Sequence, residues 1–151
     1  MSVNITDTPF SPEALHAEFR ANLGGDAGAI TAFTGVVRGG KGGDDVQSLT
    51  LSHYPDFTEK LIEDMGAEAM KRWPITAWHI THRVGEMQPS DPIVFVATAS
   101  KHRRASFEAA DFLMDYLKSE APFWKQETRG QTQDWIEPRG QDIDDKSRWD
   151  N

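Results

Sequence analysis

The chain has 151 residues, of which 38% are hydrophobic and none is cysteine. This length and composition suit one folded domain, which we predict to span residues 1–151. The 24 acidic and 16 basic side chains give a formal net charge of -8, which would repel a nucleic-acid backbone over most of the surface. The absence of cysteine excludes a thiolate nucleophile, a disulfide framework and a cysteine zinc site.

The sequence gives no sign of membrane insertion or export. No apolar run approaches the length of a membrane span, and the N-terminal segment Met1 to Asp7 lacks the basic and apolar regions of a signal peptide. We therefore expect a cytoplasmic protein that binds neither nucleic acid nor membrane.

The predicted elements follow one another as helix, two strands, helix, two strands, helix and two strands, which is an α+β arrangement. The first helix has Ser11 as its N-cap and Pro12 as its first helical residue, and it stops near Gly24. Small and β-branched residues alternate from Gly28 to Arg38, which is typical of a largely buried strand.

The glycine-rich loop after this strand, residues 39–45, resembles part of a nucleotide-binding motif. Gly35 to Lys41 matches the first seven positions of a P-loop, but the eighth position is Gly42. A P-loop needs a Ser or Thr hydroxyl there and a helix directly after, whereas a predicted strand, Val46 to Tyr54, follows. The pattern favours a glycine loop that joins two strands.

The middle of the chain predicts a helix from Thr58 to Trp73, with Thr58 as N-cap, followed by a strand from Ile75 to Val84. His79 and His82 lie three positions apart in that strand, so they should face opposite sides of the sheet. A shared metal ion is therefore not expected, and a structural role is predicted for both. After a turn region, Ile93 to Ser100 is the most apolar strand.

A third helix, predicted from Ala105 to Leu117, has cationic residues at both ends. At its start, His102 and Arg103 lie where a strand passes into a helix, and the free backbone N–H groups there attract anions. At its end, Lys118 lies in the last turn and Lys125 on the extended segment that follows.

The surroundings of Lys125 favour a reactive amine. The bulky residues Phe123 and Trp124 precede it, and such neighbours can exclude water and lower a lysine pKa towards neutrality. An equally simple interpretation is that these cations are ordinary surface and helix-end charges. From the residues alone, an anion-handling site and a purely structural cluster both remain open.

The C-terminal part predicts a hairpin and a tail. We predict strands at residues 126–128 and 132–137, joined by a turn from Arg129 to Gln131. Residues 141–151 are polar apart from Ile143 and Trp149, so we predict a mobile tail.

Several ordered blocks make the chain resemble the family of large, catalytic subunits of molybdopterin synthase, over residues 29–149. The blocks are Phe33 to Arg38, Leu49 to Tyr54, His82 to Glu86, His102 to Phe107, Tyr116 to Lys118 and Pro122 to Glu127. The resemblance implies an α/β hammerhead fold, with a mixed or antiparallel sheet and packed helices. It also implies a homodimer that binds two small ubiquitin-like sulfur carriers, each with a C-terminal Gly-Gly thiocarboxylate, in a heterotetramer.

The implied reaction is sulfur transfer to cyclic pyranopterin monophosphate, forming the dithiolene of molybdopterin in molybdenum cofactor biosynthesis. No metal and no other cofactor is expected in this subunit, and the carrier would supply the sulfur that a cysteine-free chain lacks.

The resemblance also implies roles for particular residues. Lys118 and Lys125 match the two active-site lysines, and we hypothesise that Lys118 meets the thiocarboxylate while Lys125 orients the pterin or transfers protons. Arg38, His102 and Arg103 match substrate-pocket positions suited to a phosphate clamp. A contribution from Arg139 would come from the second subunit.

Two other functions must be distinguished from sulfur transfer. One is a non-catalytic docking module for a ubiquitin-like protein, whose basic residues would only receive a C-terminal carboxylate. The other is a nucleotide-binding enzyme that uses the glycine loop, against which the missing hydroxyl at Gly42 already argues.

Overall fold

A computed structural model describes residues 2–39, 47–129, 132–136 and 140–150, with the backbone alone for 128–129 and 132–136. The helices are α1 (Pro12–Ala21), α2 (Phe57–Arg72), α3 (Arg103–Ser119) and α4 (Gly140–Ser147). The strands are β1 (Ser2–Thr6), β2 (Ala29–Val36), β3 (Ser48–His53), β4 (Ile75–Arg83), β5 (Gly85–Met87), β6 (Pro92–Ser100), β7 (Phe123–Arg129) and β8 (Thr132–Ile136). No described helix is both long and apolar enough to cross a membrane.

The strands form two four-stranded sheets. The first has the order β1-β4-β6-β2 and is mixed, because β1 runs parallel to β4 while the other neighbours are antiparallel. The second has the order β5-β3-β7-β8 and is antiparallel throughout. The α+β class with mixed and antiparallel sheets is thereby confirmed, as is the β7–β8 hairpin.

Helices cover both faces of the first sheet, and strand β6 lies at its centre. Val94 and Val96 pack into the cluster formed with α2 and α3, whereas Phe95 and Ala97 pack with α1 on the opposite face. Because both faces of β6 are buried, its sequence is apolar without alternation.

Helix α2 packs closely on this sheet because it carries Gly66. A β-carbon at that position would lie 2.0 Å from the ring of Trp78, on β4. The missing side chain therefore sets the distance between α2 and the sheet.

The N-terminus of α2 differs from the prediction that placed Thr58 at the cap. Asp56 is the N-cap, in the left-handed region with φ 68°, and its N–H donates to Glu59 Oε2 at 2.8 Å. Thr58 is instead buried: its Oγ1 accepts from the Tyr54 N–H at 3.0 Å and donates to the Pro122 carbonyl at 3.3 Å. The hydroxyl therefore joins the start of α2 to the start of β7.

Strand β2 is less buried than its sequence predicts. It lies at the edge of the first sheet, and the side chains of Phe33 and Val36 are 44% and 52% exposed. The prediction of a largely buried strand is wrong here, because alternation indicates the faces of a strand and not whether it has two neighbours.

In the segment 141–151, which we predicted to be a mobile tail, the described residues 141–150 contact the rest of the fold. Helix α4 packs on α3, and the Trp149 ring meets Trp73 and Phe112 edge to face. Asp115, a buried carboxylate on α3, accepts from Arg148 at 2.7 Å and from the Trp149 ring N–H at 2.6 Å.

Strands β1 and β5 were not predicted from the sequence. Two predictions are not tested by the structure. The glycine loop lies mostly outside the described residues, since 40–46 are not described. The assignment of the whole chain to a single domain stays a prediction.

Candidate active site

Lys125 points towards the core face of the second sheet. Its register partner on β3 is Leu51, which is 2% exposed, and Phe123 lies two positions away on the same face. Trp124 faces the other way and contacts Tyr54, with 4.2 Å between ring centroids. Of the two bulky neighbours expected to shield Lys125, only Phe123 shares its face.

The last turn of α3 brings Lys118 to Lys125. Burial lowers the pKa of Lys125 to about 8, and the positive charge of Lys118 and a hydrogen bond with it act in the same direction. The carboxylates of Asp142 and Glu127 oppose this shift in the pKa of Lys125. Lys118 itself is exposed, so one amine of the pair is open to solvent and the other is half-buried.

His82 lies beside the lysine pair, although its sequence position indicated only a structural role. Its buried ring stacks on Phe123, with centroids 3.9 Å apart and planes 15° apart, and Nδ1 lies 2.9 Å from the Arg83 carbonyl oxygen. Burial, together with the positive charges of Lys125 and Lys118, lowers the pKa of His82 to about 4, although the hydrogen bond to the Arg83 carbonyl opposes this shift. His79, on the opposite face of β4, instead contacts Ser2 and Thr81, which agrees with the predicted separation.

The alternation of side chains along a strand predicts that His82 and His79 lie on opposite faces of β4. It does not predict that His82 contacts Phe123. That information depends on the packing of β4 against β7, two strands in different sheets.

A second aromatic contact to Phe123 comes from His53 on β3. The ring of His53 stacks on it at 6.5 Å, and His53 Nε2 lies 3.3 Å from Glu59 Oε1 on α2. Together with the bond from Thr58 to the Pro122 carbonyl, this contact ties the start of β7 to the start of α2. The position of Phe123, and through it that of Lys125, is thus fixed by α2.

The structure does not bring His102 and Arg103 to the lysines within one chain. His102 is the N-cap of α3 and Arg103 its first residue, whereas Lys118 lies in the last turn, so about 22 Å of helix axis separates the two ends. Ser106 anchors the cationic end: its Oγ donates to the Arg103 carbonyl at 2.9 Å and lies 2.8 Å from Thr31 Oγ1 on β2.

Arg38 is exposed and lies two residues beyond β2. The preceding residue, Val37, is buried in the same apolar cluster as Leu51, and its N–H donates to the Asp91 carbonyl at 2.9 Å. Arg38 therefore begins at the rim of the cluster that also contains the register partner of Lys125. Arg139 lies outside the described residues.

The arrangement is suited to proton transfer next to an anion. With Lys118 charged, the two amines share a hydrogen bond when Lys125 has lost its proton and accepts. A pKa near 8 allows Lys125 to hold or release a proton near neutral pH. The exposed, positively charged Lys118 can attract an anionic group that enters from solvent. Within the described ranges, no group of three or more histidine or carboxylate side chains could hold a metal ion.

Known proteins resemble this chain over most of its length. A family model described as MoaE protein matches residues 5–120. The molybdopterin synthase catalytic subunit of Caulobacter vibrioides is 45% identical over 150 residues, covering 99% of this chain and 98% of the relative. The protein of the same name from Escherichia coli is 48% identical over 122 residues, covering 81% of each chain.

Among solved structures, the molybdopterin biosynthesis MoaE protein from Burkholderia ambifaria superimposes with a TM-score of 0.83. It is 41% identical, and the match covers 99% of this chain and 98% of that one. Because the family model spans most of the sequence and relatives match it over nearly their full length, this chain belongs to the MoaE protein family.

Proposed function

We propose that this protein is the catalytic subunit of a molybdopterin synthase. It transfers sulfur from the C-terminal thiocarboxylate of a small ubiquitin-like carrier to cyclic pyranopterin monophosphate, forming the dithiolene of molybdopterin. The observation that carries the proposal is the half-buried Lys125 amine, with its pKa near 8 and its hydrogen bond to Lys118. Relatives bearing the catalytic-subunit name support it.

Lys118 receives the thiocarboxylate. Its amine is exposed at the end of α3, so an extended Gly-Gly tail can reach it without disturbing the core. A positive charge there attracts the anionic tail and holds the sulfur for attack on the pterin carbon. The chain has no cysteine, so all the sulfur that is transferred comes from the carrier.

Lys125 moves the protons of the reaction. Two sulfurs are transferred in successive steps, each from one carrier thiocarboxylate. In each step the C–O bond at a pterin carbon breaks as the new C–S bond forms there, and the Lys125 ammonium donates a proton to the departing oxygen. Hydrolysis of the carrier's acyl C–S bond then releases the carrier as a carboxylate. A lysine with an ordinary pKa of 10.5 would give up this proton far less readily at neutral pH.

A second copy of the chain completes the substrate pocket. Since the two ends of α3 are about 22 Å apart, Arg103 and His102 of one chain cannot flank the substrate held by Lys118 of the same chain. We propose that they clamp the substrate phosphate in the site of the partner subunit, where Arg38 contributes from the lysine-bearing chain. Arg139 is proposed to act there from the partner subunit as well.

The proposed assembly is a homodimer with one carrier on each chain, a heterotetramer that works in the cytoplasm. No cofactor takes part in the proposed reaction. Exposed apolar side chains on the edge strand β2, at Phe33 and Val36, suit contact with a second copy.

The test is to mix the purified protein with thiocarboxylated carrier and the pterin precursor, and to look for the dithiolene product by mass. K118A and K125A should abolish product while the carrier still binds, and K60A, on the exposed face of α2, should change neither. If both proteins are folded and the precursor remains intact, the enzymatic proposal is wrong. Loss of carrier binding alone in the lysine variants would favour the docking module.

A further inference from the structure

The ring of His82 has a fixed orientation in the core. The Arg83 carbonyl can only accept a hydrogen bond, so Nδ1 of His82 must carry the proton that it receives at 2.9 Å. Stacking on Phe123 at 3.9 Å holds the plane of the ring. The ring is 8% exposed, and its low pKa keeps it neutral at physiological pH.

The His82 ring lies on the same side of β7 as the Lys125 side chain. Phe123 and Lys125 are two positions apart on β7 and share a face, so the ring that stacks on Phe123 lies next to the Lys125 side chain. The positive charges of Lys125 and Lys118 both lower the pKa of His82, so both amines lie within electrostatic reach of the ring. Leu51, the register partner of Lys125 on β3, is buried on the same face.

Other titratable groups reach the Lys125 amine from three elements. Lys118 faces it from α3, Glu127 lies on its own strand, and Asp142 approaches from α4. Two of these are negative and favour the ammonium form. The neutral amine therefore depends on the removal of water, which is the largest influence on Lys125, as well as on the charge of Lys118.

We propose that His82 is a positioning residue for Lys125: its neutral ring, wedged against Phe123, forms one wall beside the Lys125 side chain and keeps water away from the amine. The ring excludes water because of its size, and it takes no part in proton transfer. The catalytic meaning of this inference rests on the proposed sulfur transfer, but the contact itself can be tested without that reaction.

The experiment measures at which pH Lys125 loses its proton. The protein is labelled with a limiting amount of acetic anhydride from about pH 6 to pH 11, and acetylation of the Lys125 peptide is read by mass spectrometry. In the wild type the midpoint should lie at about 8. H82F, which keeps a flat ring of similar size, should leave the midpoint unchanged. H82A, which opens the wall to water, should raise it by about one pH unit or more.

H82L is made alongside as an intermediate in volume, and it replaces H82A if the alanine variant does not fold. Midpoints that rise in the order phenylalanine, leucine, alanine support the proposal. An unchanged midpoint in both smaller variants overturns it, and so does a midpoint in H82F as high as in H82A or H82L, because the ring would then act by its chemistry and not by its volume.

Sulfur transfer gives a separate readout. The pH dependence of kcat/KM should shift in H82A in the same direction as the labelling midpoint, and H82F should restore the wild-type profile. If the wild type transfers no sulfur while the midpoints still follow side-chain volume, the proposed function fails and the role of His82 stands. If transfer occurs but the midpoints do not follow volume, only the inference about His82 fails.

Discussion

The amines of Lys118 and Lys125 share a hydrogen bond across a break in secondary structure. Helix α3 ends just after Lys118, and the Ala121 N–H still donates to the Tyr116 carbonyl at 3.2 Å before Pro122 turns the chain into β7. This short reversal places one amine at the end of a helix and the other on the core face of a sheet. The pair has one solvated and one half-buried member, and proton transfer at neutral pH requires that asymmetry.

Replacing Lys118 should change the proton affinity of Lys125. K118M removes both the neighbouring charge and the hydrogen bond, so the pKa of Lys125 should rise from about 8 towards its ordinary value of 10.5. Competitive acetylation of the Lys125 peptide measures this change. K118R, which keeps the charge, should show a smaller rise. Equal midpoints in wild type and K118M would show that the charge of Lys118 does not reach Lys125.

Replacing Lys125 should stabilise the protein while abolishing sulfur transfer. The folded chain releases the Lys125 proton at about pH 8, whereas the unfolded chain holds it up to about 10.5, so stability rises with pH across this window. Below about pH 8 the half-buried Lys125 is charged in the folded chain, and this charge lowers the free energy of unfolding. K125M should raise the free energy of unfolding by roughly 1–3 kcal/mol at pH 7, and by little near pH 10.5.

Urea denaturation at the two pH values measures this effect. K60M is the matched control, because Lys60 is an exposed lysine paired with Asp64 on α2, and it should leave stability nearly unchanged at both pH values. A K125M protein that is less stable than the wild type at pH 7 would contradict the burial argument.

Mixed dimers should reveal whether two chains share a site. R103A and K118A each lose sulfur transfer as homodimers. In a heterodimer of the two, one site combines the intact Lys118 of one chain with the intact Arg103 of the other, so about half of the wild-type activity should return. Differently tagged copies allow the heterodimer to be purified and assayed. No recovery would mean that Arg103 does not act across the dimer.

A methyl group at Gly66 should disturb the packing of α2. A β-carbon there would lie 2.0 Å from the buried ring of Trp78, so G66A should reduce the free energy of unfolding by about 1–3 kcal/mol. G25A is the control, since no atom lies within 4 Å of a β-carbon at Gly25, and it should be nearly neutral. A stabilising G66A would show that the helix can shift outward at no cost.

The C-terminal residues should contribute to global stability. Trp149 packs on Trp73 and Phe112, and its ring N–H donates to the buried carboxylate of Asp115 at 2.6 Å. W149A should cost roughly 2 kcal/mol or more in urea denaturation. The control is I143A, because Ile143 on α4 is 57% exposed. Equal stability of W149A and wild type would restore the prediction of a loosely attached tail.

The sequence predicted the elements that local rules define. Ser11 caps α1 through its hydroxyl, which accepts from the Ala14 N–H at 3.2 Å, and Pro12 follows it as expected. Pro122 lies between α3 and β7, and the hairpin after Lys125 forms where the turn residues indicated. These features depend on capping, on the fixed φ of proline and on periodicity, all of which act within a few residues.

Contacts between distant segments could not be predicted in this way. Thr58 resembles an N-cap by its neighbours, but its hydroxyl bonds to the Pro122 carbonyl far along the chain. The tail is polar on average, yet two residues, Arg148 and Trp149, attach it to Asp115. Composition measures an average over a segment, whereas one buried hydrogen-bonded anchor can fix the whole segment.

The sequence alone determined the order of most elements, the cationic ends of α3 and the candidate lysines. Only the tertiary structure decided that Lys125 faces Leu51 and that His82 stacks on Phe123. The physical reason is that alternation along a strand fixes which side chains share a face. The pairing and packing of strands decide what that face meets.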